Sequence, residues 1–201
     1  MYNWRNMTAE QQDSILNLRK LAKRPWHSPP HRLSAQTTVH LTAATYEHRH
    51  VIGQSAEHMD IFEQELLAAV TKHGETLIAW CVLPNHYHLL LDAPQVAGTL
   101  YELGRLHGRN SYRWNKEDNS PGRKCWNCVA DRTMRTERHR WATINYVLHN
   151  PVHHGYTKQW QDWPYSNAAA YLENIGRTEA ERRWLEYPLH DYGKGWDDAL
   201  L

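Results

Sequence analysis

The chain has 201 residues, 23 Lys and Arg against 22 Asp and Glu, and a net charge of +1, so it is long enough for one globular domain and is not a generally basic nucleic-acid coat. No apolar run approaches the ~18 residues that span a bilayer, and Met1 to Met7 lacks a signal-peptide pattern, which argues against a membrane role and makes the cytoplasm the expected location. Three cysteines, an odd number, argue against a disulfide framework and for a reducing compartment.

In chain order, Thr8 to Arg24 predicts an amphipathic helix with Ile15, Leu16, Leu18 and Leu21 on its apolar positions, ended by Pro25. Trp26 to Arg32 contains Pro29-Pro30 and reads as an extended arm, with His27 and Arg32 as candidate DNA contacts or as plain packing. Gln36 to Thr45 is strand-like, Val39, Leu41 and Ala43 alternating, and Gln54 to His73 is a helix whose stripe includes Met59, Phe62, Leu66 and Val70.

Leu77 to Leu83 and His86 to Asp92 are two apolar strands separated by a Pro-Asn step. Side chains alternate along a strand, so His86 and His88 share one face and Tyr87 takes the other. Two imidazoles on one face can share a cation, although alone they can equally line a polar groove, because a usable metal site needs a third ligand and an open position.

Val96 to Trp114 predicts a long helix with Leu100, Leu103 and Leu106 buried and Arg105, Arg109 and Arg113 on a shared polar stripe. Asn119 to Gly122 is a turn, and Lys124 to Ala130 is expected to be a strand. From Arg105 to Arg140, ten cations face four anions, a local net charge of +6. Within this block Arg105, Arg109, Arg113, Lys116, Arg123, Lys124, Arg132 and Arg135, interleaved with Tyr112, Trp114 and Trp126, suit a surface that tracks phosphates and stacks bases; a solvated helix face is the plainer alternative.

Thr136 to Asn150 predicts an amphipathic helix, with Pro151 placing Asn150 at its end. Tyr146 and Asn150 are four apart and lie on one face. A core tyrosine with a helix-terminating Asn-Pro is the bland account. His149, His153 and His154 read as surface histidines, with phosphate contact or proton shuttling as the alternative. Ser166 to Glu173 and Arg177 to Leu185 look helical and acidic, and Asp191 to Leu201 reads as a polar extension. Cys125-Trp-Asn-Cys128 has the spacing of half a zinc knuckle or of a redox pair but lacks a second pair, and Trp160, Trp163 and Trp184 read as packing residues.

Taken jointly, Pro-Asn-His-Tyr-His-Leu-Leu-Leu at 84 to 91, Asn-Tyr-Val-Leu-His-Asn-Pro-Val-His-His-Gly-Tyr at 145 to 156, and Asp-Trp-Pro-Tyr-Ser at 162 to 166 resemble the HUH-type single-tyrosine transposases that act on single-stranded DNA, and especially the REP-associated tyrosine transposases. The resemblance covers roughly residues 35 to 172. It implies an α+β fold: a ferredoxin-like antiparallel sheet with the His-x-His on a central strand, helices packed on the sheet and the nucleophile on a late helix. It divides the chain into an N-terminal helix and arm (1–34), a catalytic domain (35–172) and a C-terminal helical extension (173–201).

The same resemblance assigns His86, His88 and Asn150 to a divalent ion, Mg²⁺ or Mn²⁺, and Tyr146 to attack on DNA with formation of a 5′-phosphotyrosine. The donors alone would equally suit Zn²⁺. The partner implied is a single-stranded DNA hairpin of the REP-palindrome kind, and monomer and homodimer both remain open. Two other function classes stand beside strand transfer: a non-catalytic hairpin-binding protein that keeps the fold, and a zinc hydrolase using the histidine cluster.

Overall fold

A computed structural model describes residues 8–10, 13, 17, 35–190 and 192–193. Ala9, Glu10, Asp13 and Asn17 are helical, in line with the first predicted helix; the rest of that helix, the Trp26 to Arg32 arm with His27 and Arg32, and most of the tail lie outside the described residues. The chain divides into two compact units, 1–32 and 33–201, and the site lies wholly within the second.

The second unit contains β1 (Ala35–Ala44), α1 (Ala56–Val70), β2 (Thr76–Val82), β3 (His86–Gln95), α2 (Val96–Glu117), β4 (Ala130–Thr133), α3 (Glu137–His153), α4 (Ala168–Ile175) and α5 (Arg177–Glu186). The strands form one sheet in the order β2-β3-β1-β4, every pairing antiparallel, which puts the histidine strand β3 at the centre. This is the ferredoxin-like arrangement. Local signals set the helix starts: the Ser55 hydroxyl accepts the His58 N–H at 3.1 Å, and Thr136 does the same for His139 at 3.0 Å.

Strand alternation sorts the two cores. Val39, Leu41, Ala43, Tyr87, Leu89 and Leu91 point to one face and pack with Phe62 and Leu66 of α1 and Leu103, Leu106 and Trp114 of α2. Leu90, with Ala79 and Cys81 of β2, points to the other face and packs under Ile144, Tyr146, Val147 and Leu148 of α3. The first core is the larger, and truncating a fully buried ring there, such as Phe62→Ala, would cost about 3–5 kcal/mol. The second face carries the histidines.

Two boundaries differ from the sequence reading. The strand expected over Lys124 to Ala130 runs instead over Ala130–Thr133. Cys125 and Trp126 turn into the main core, and the backbone wraps the end of β1 through Tyr46 N–H to the Cys125 carbonyl (2.8 Å) and Asn127 N–H to the Ala44 carbonyl (2.9 Å). What pairs with β1 is the charged stretch Ala130 to Thr133, as an edge strand permits.

The tyrosine helix also runs on through Pro151 to His153. Proline there removes only a bond in the last turn, and the final carbonyls are satisfied by His154 N–H on Asn150 (3.0 Å) and Tyr156 N–H on Pro151 (2.9 Å). Asn150 is therefore held inside a formed turn and not at a frayed end. Beyond it, α4 crosses position 172, and the Asn145 amide donates to the carbonyls of Arg183 and Tyr187 at 3.3 and 3.0 Å, tying the following helices to α3.

Candidate active site

His86, His88, Tyr146 and Asn150 meet where α3 packs on the sheet. His86 and His88 are 1% and 0% exposed, Asn150 1% and Tyr146 5%. The His86 and His88 rings stand edge to face with centroids 5.0 Å apart, and the Tyr146 ring meets His88 at 5.1 Å. Asn150 Oδ1 lies 3.2 Å from His86 Nε2.

Hydrogen bonding fixes how His86 presents itself. The Asn85 amide nitrogen donates to the His48 carbonyl at 3.2 Å, which leaves Asn85 Oδ1 facing His86 Nδ1 at 2.7 Å. Oδ1 can only accept, so Nδ1 carries a proton, and in the neutral form of the ring Nε2 presents a lone pair. That lone pair faces the Asn150 carbonyl oxygen, also an acceptor. Two buried acceptors 3.2 Å apart repel each other unless a proton or a cation lies between them.

The donor chemistry therefore fits a divalent cation, with an imidazole whose outer nitrogen is hydrogen-bonded in the manner usual for metal-binding histidines. Among the described residues no three His, Cys, Asp or Glu side chains gather as a metal-binding group, so a cation site at the two imidazoles would have to draw its third donor from the Asn150 amide oxygen beside His86.

Three neighbours of the site, His40, Tyr192 and Gly193, are not among the residues named from the sequence, and a fourth, His154, is named there as a surface histidine or phosphate contact. His40 of β1, 1% exposed, places Nε2 3.2 Å from His88 Nδ1. Its signal was present: in an alternating strand where Val39, Leu41 and Ala43 face the core, His40 must face the histidine side. His154 packs its ring on His86 at 5.0 Å, so it is not a free surface group. Tyr192 meets Tyr146 at 5.9 Å and bonds the Thr143 hydroxyl, and a Cβ on Gly193 would fall 2.1 Å from the Tyr146 ring. These two residues cover the nucleophile candidate, and no motif could announce a contact set by chain return.

His149 departs from the surface reading. Its ring stacks on Trp184 at 3.8 Å and Trp160 at 5.2 Å, and burial pulls its pKa down to about 4. His153 is exposed. Cys125 is buried with its thiol directed at Asn115 Oδ1 (3.2 Å), Cys128 is exposed, and both are free thiols.

The basic residues do not form one surface. Arg105, Arg109, Arg113 and Lys116 belong to α2, which packs on the sheet face opposite the histidines, and Arg113 is engaged by both carboxylate oxygens of Glu65. Arg123 pairs with Asp118 at 2.6 Å, and Lys124 sits 4.3 Å from the Tyr46 ring centre. Arg132 is different. It pairs directly with His40 across β1 and β4, so it shares the histidine face. Burial lowers the His139 pKa, and the charges of Arg132 and Arg135 lower it further, which places both cations near the start of α3.

Comparison with known proteins follows the same lines. No family model matches the chain. A Haemophilus influenzae (strain ATCC 51907 / DSM 11121 / KW20 / Rd) protein named "Putative REP-associated tyrosine transposase" is 27% identical over 149 residues, covering 67% of this chain and 74% of that protein. A solved structure of a REP-associated tyrosine transposase bound to a REP hairpin superposes with a TM-score of 0.55 at 17% identity, covering 70% of this chain and 81% of that one, and shows a shared fold. Among the described residues no helix is long and apolar enough to cross a membrane.

Proposed function

We propose that this chain, which is similar in sequence and fold to REP-associated tyrosine transposases, is a metal-dependent enzyme that cleaves single-stranded DNA beside a hairpin and joins strands through a phosphotyrosine on Tyr146. The observation that carries this reading is the convergence of His86 Nε2 and Asn150 Oδ1 at 3.2 Å, with His88 between them and the Tyr146 ring. A cytoplasmic location goes with it.

The residues divide the work. Tyr146 Oη attacks the scissile phosphorus, the P–O3′ bond breaks, the departing 3′-oxygen takes up a proton, and the 5′-phosphate stays on tyrosine. A second 3′-hydroxyl attacking the same phosphorus releases Tyr146 and joins the strands, so no external energy source is needed. An ordinary phenol has a pKa near ~10 and is a weak nucleophile at neutral pH, so proton loss must accompany attack. His88 holds the Tyr146 ring edge to face. A Mg²⁺ or Mn²⁺ ion held by His86, His88 and Asn150 would polarise the scissile phosphate and neutralise developing charge. Arg132 and Arg135 are the proposed phosphate contacts beside this site, with Arg105, Arg109 and Lys116 forming a separate basic surface.

The test is incubation of the purified protein with end-labelled single-stranded hairpin DNA and Mn²⁺ or Mg²⁺. A denaturation-resistant protein–DNA adduct, absent in Tyr146→Phe, is expected. An adduct that persists in Tyr146→Phe, or none across a panel of flanking sequences, overturns the reading. Hairpin binding without strand transfer is the second reading, favoured by the cover of Tyr192 and Gly193 over Tyr146; binding by the wild type with no adduct would select it.

A further inference from the structure

We propose that His40 is a positioning residue that sets the tautomer of His88 and so keeps the His88 Nε2 lone pair available to a divalent cation; this rests on the metal site proposed above.

The two rings are neighbours by register. Thr42 pairs with His88 and His40 with Leu90, so His40 and His88 are diagonal partners on one face of the β1–β3 pair. Their rings stack with centroids 5.3 Å apart and planes 29° apart, and His40 Nε2 lies 3.2 Å from His88 Nδ1. Both side chains are buried, at 1% and 0% exposure, so water does not compete for the bond.

A neutral imidazole has one N–H donor and one acceptor nitrogen, so a single hydrogen bond between two neutral rings has two forms. In one, His40 Nε2–H donates to His88 Nδ1; the His88 proton then sits on Nε2 and that atom cannot ligate. In the other, His88 Nδ1–H donates to His40 Nε2, and His88 Nε2, itself enclosed, keeps its lone pair. The first histidine shows which form belongs to a metal site. His86 Nδ1 is held by the Asn85 oxygen, an obligate acceptor, and its Nε2 is turned to Asn150. His40 does for His88 what Asn85 does for His86, with a ring in place of an amide. The same ring abuts Tyr146 edge to face at 6.0 Å, so it spans metal ligand and nucleophile.

Plain packing of two stacked rings is the competing account, and three measurements separate them. Mn²⁺ alone is titrated into the full chain without DNA and followed by calorimetry. His40→Phe keeps the ring and loses the acceptor, and should weaken Mn²⁺ binding by about 10–100-fold, the usual effect of losing an outer partner. His40→Gln, whose side-chain oxygen reaches the Nε2 position, should stay within a few-fold of wild type. Packing alone predicts the reverse order, because Phe fills the site better than Gln. Long-range ¹H–¹⁵N correlation on the metal-free wild type should show His88 protonated at Nδ1, and this reading needs no folded variant. An Nε2–H tautomer in the wild type, or wild-type Mn²⁺ affinity in His40→Phe, overturns the role of His40. His88→Ala marks the other failure: undiminished Mn²⁺ binding in that variant overturns the metal site itself.

Discussion

Asn150 Oδ1, in the last turns of α3, stands 3.2 Å from Nε2 of His86 on the central strand β3, two acceptor atoms brought together across 64 residues of sequence. A cation bound between them, as proposed, would convert that repulsion into attraction and stabilise the fold. At a Mn²⁺ concentration 100 times the dissociation constant, the gain is about 2.7 kcal/mol, or roughly 5–10 °C in melting temperature for a chain of this size. Differential scanning fluorimetry with and without Mn²⁺ measures it. The shift should vanish in His86→Ala and in Asn150→Ala; an equal shift in wild type and both variants would mean that the ion binds elsewhere.

Tyr192 and Gly193 lie over the Tyr146 ring, and Gly193 holds φ +83° where an added Cβ would fall 2.1 Å from Tyr146 Cε2. A tyrosine 5% exposed cannot reach a phosphate in a bulky DNA backbone unless this cover moves. Gly193→Ala is incompatible with the closed contact twice over, through the left-handed backbone and through the collision. It should displace the segment, as should Tyr192→Ala, which removes the ring and its bond to Thr143. Both variants should form the covalent DNA adduct faster than wild type in single-turnover assays. Slower adduct formation would mean that Tyr192 helps to hold the reacting groups.

Most of the arrangement could be read from residue order because it depends on local periodicity. The period of two in Thr38 to Ala43 and in His86 to Leu91 sorts core residues from site residues, and the i, i+4 spacing of Tyr146 and Asn150 puts both under one helix. The misreadings share a cause. Lys124 to Ala130 looks like a strand because its apolar residues are buried, yet Cys125 and Trp126 are buried by a wrapping loop while the paired edge strand is the charged Ala130 to Thr133. Pro151 looks like a terminator, yet near a helix end the missing N–H is compensated by the carbonyl contacts beyond it. Tyr192 joins the site through a tertiary neighbour 46 residues away, Tyr146, which no local pattern encodes, whereas His40, 48 residues from His88, is legible in its side of the strand but not in its partner. The basic stripe of α2 has the right composition for DNA, but the topology places it across the sheet from the histidines.

His107 gives the fold a predictable acid sensitivity away from the site. Its ring lies flat on Trp126, with centroids 4.0 Å apart and planes 6° apart, and its Nε2 is hydrogen-bonded to the Tyr87 hydroxyl across 3.0 Å. Burial pulls its pKa from an ordinary 6.5 down to about 3. Below pH 6.5 the unfolded chain takes up a proton that the folded chain refuses, so stability falls as pH drops and the loss is complete only below pH 3. At pH 5 this single group accounts for about 2 kcal/mol. Urea midpoints at pH 7 and pH 5 test it against His107→Phe. That variant should be less stable at pH 7 by about 1–3 kcal/mol, since the buried Tyr87 hydroxyl loses its hydrogen-bond partner, but should lose correspondingly less on acidification. An unchanged pH dependence would assign the acid response to other groups.

Arg132 and the Arg105/Arg109 pair provide a test of where DNA runs. Arg132 sits opposite His40 on the edge strand, on the face that carries His88 and Tyr146, whereas Arg105 and Arg109 belong to the helix layer behind the sheet. Each phosphate contact releases counterions and adds about 0.7 to the salt slope for a single strand. Fluorescence anisotropy of a labelled single-stranded substrate across a series of KCl concentrations should show that slope fall by about one contact in Arg132→Ala and stay constant in the Arg105→Ala/Arg109→Ala double variant. With a hairpin stem present, a slope change in the double variant would indicate that the duplex reaches round to the α2 stripe. No change in Arg132→Ala with either substrate would remove that residue from the DNA path and leave Arg135 as the remaining proposed phosphate contact on this face.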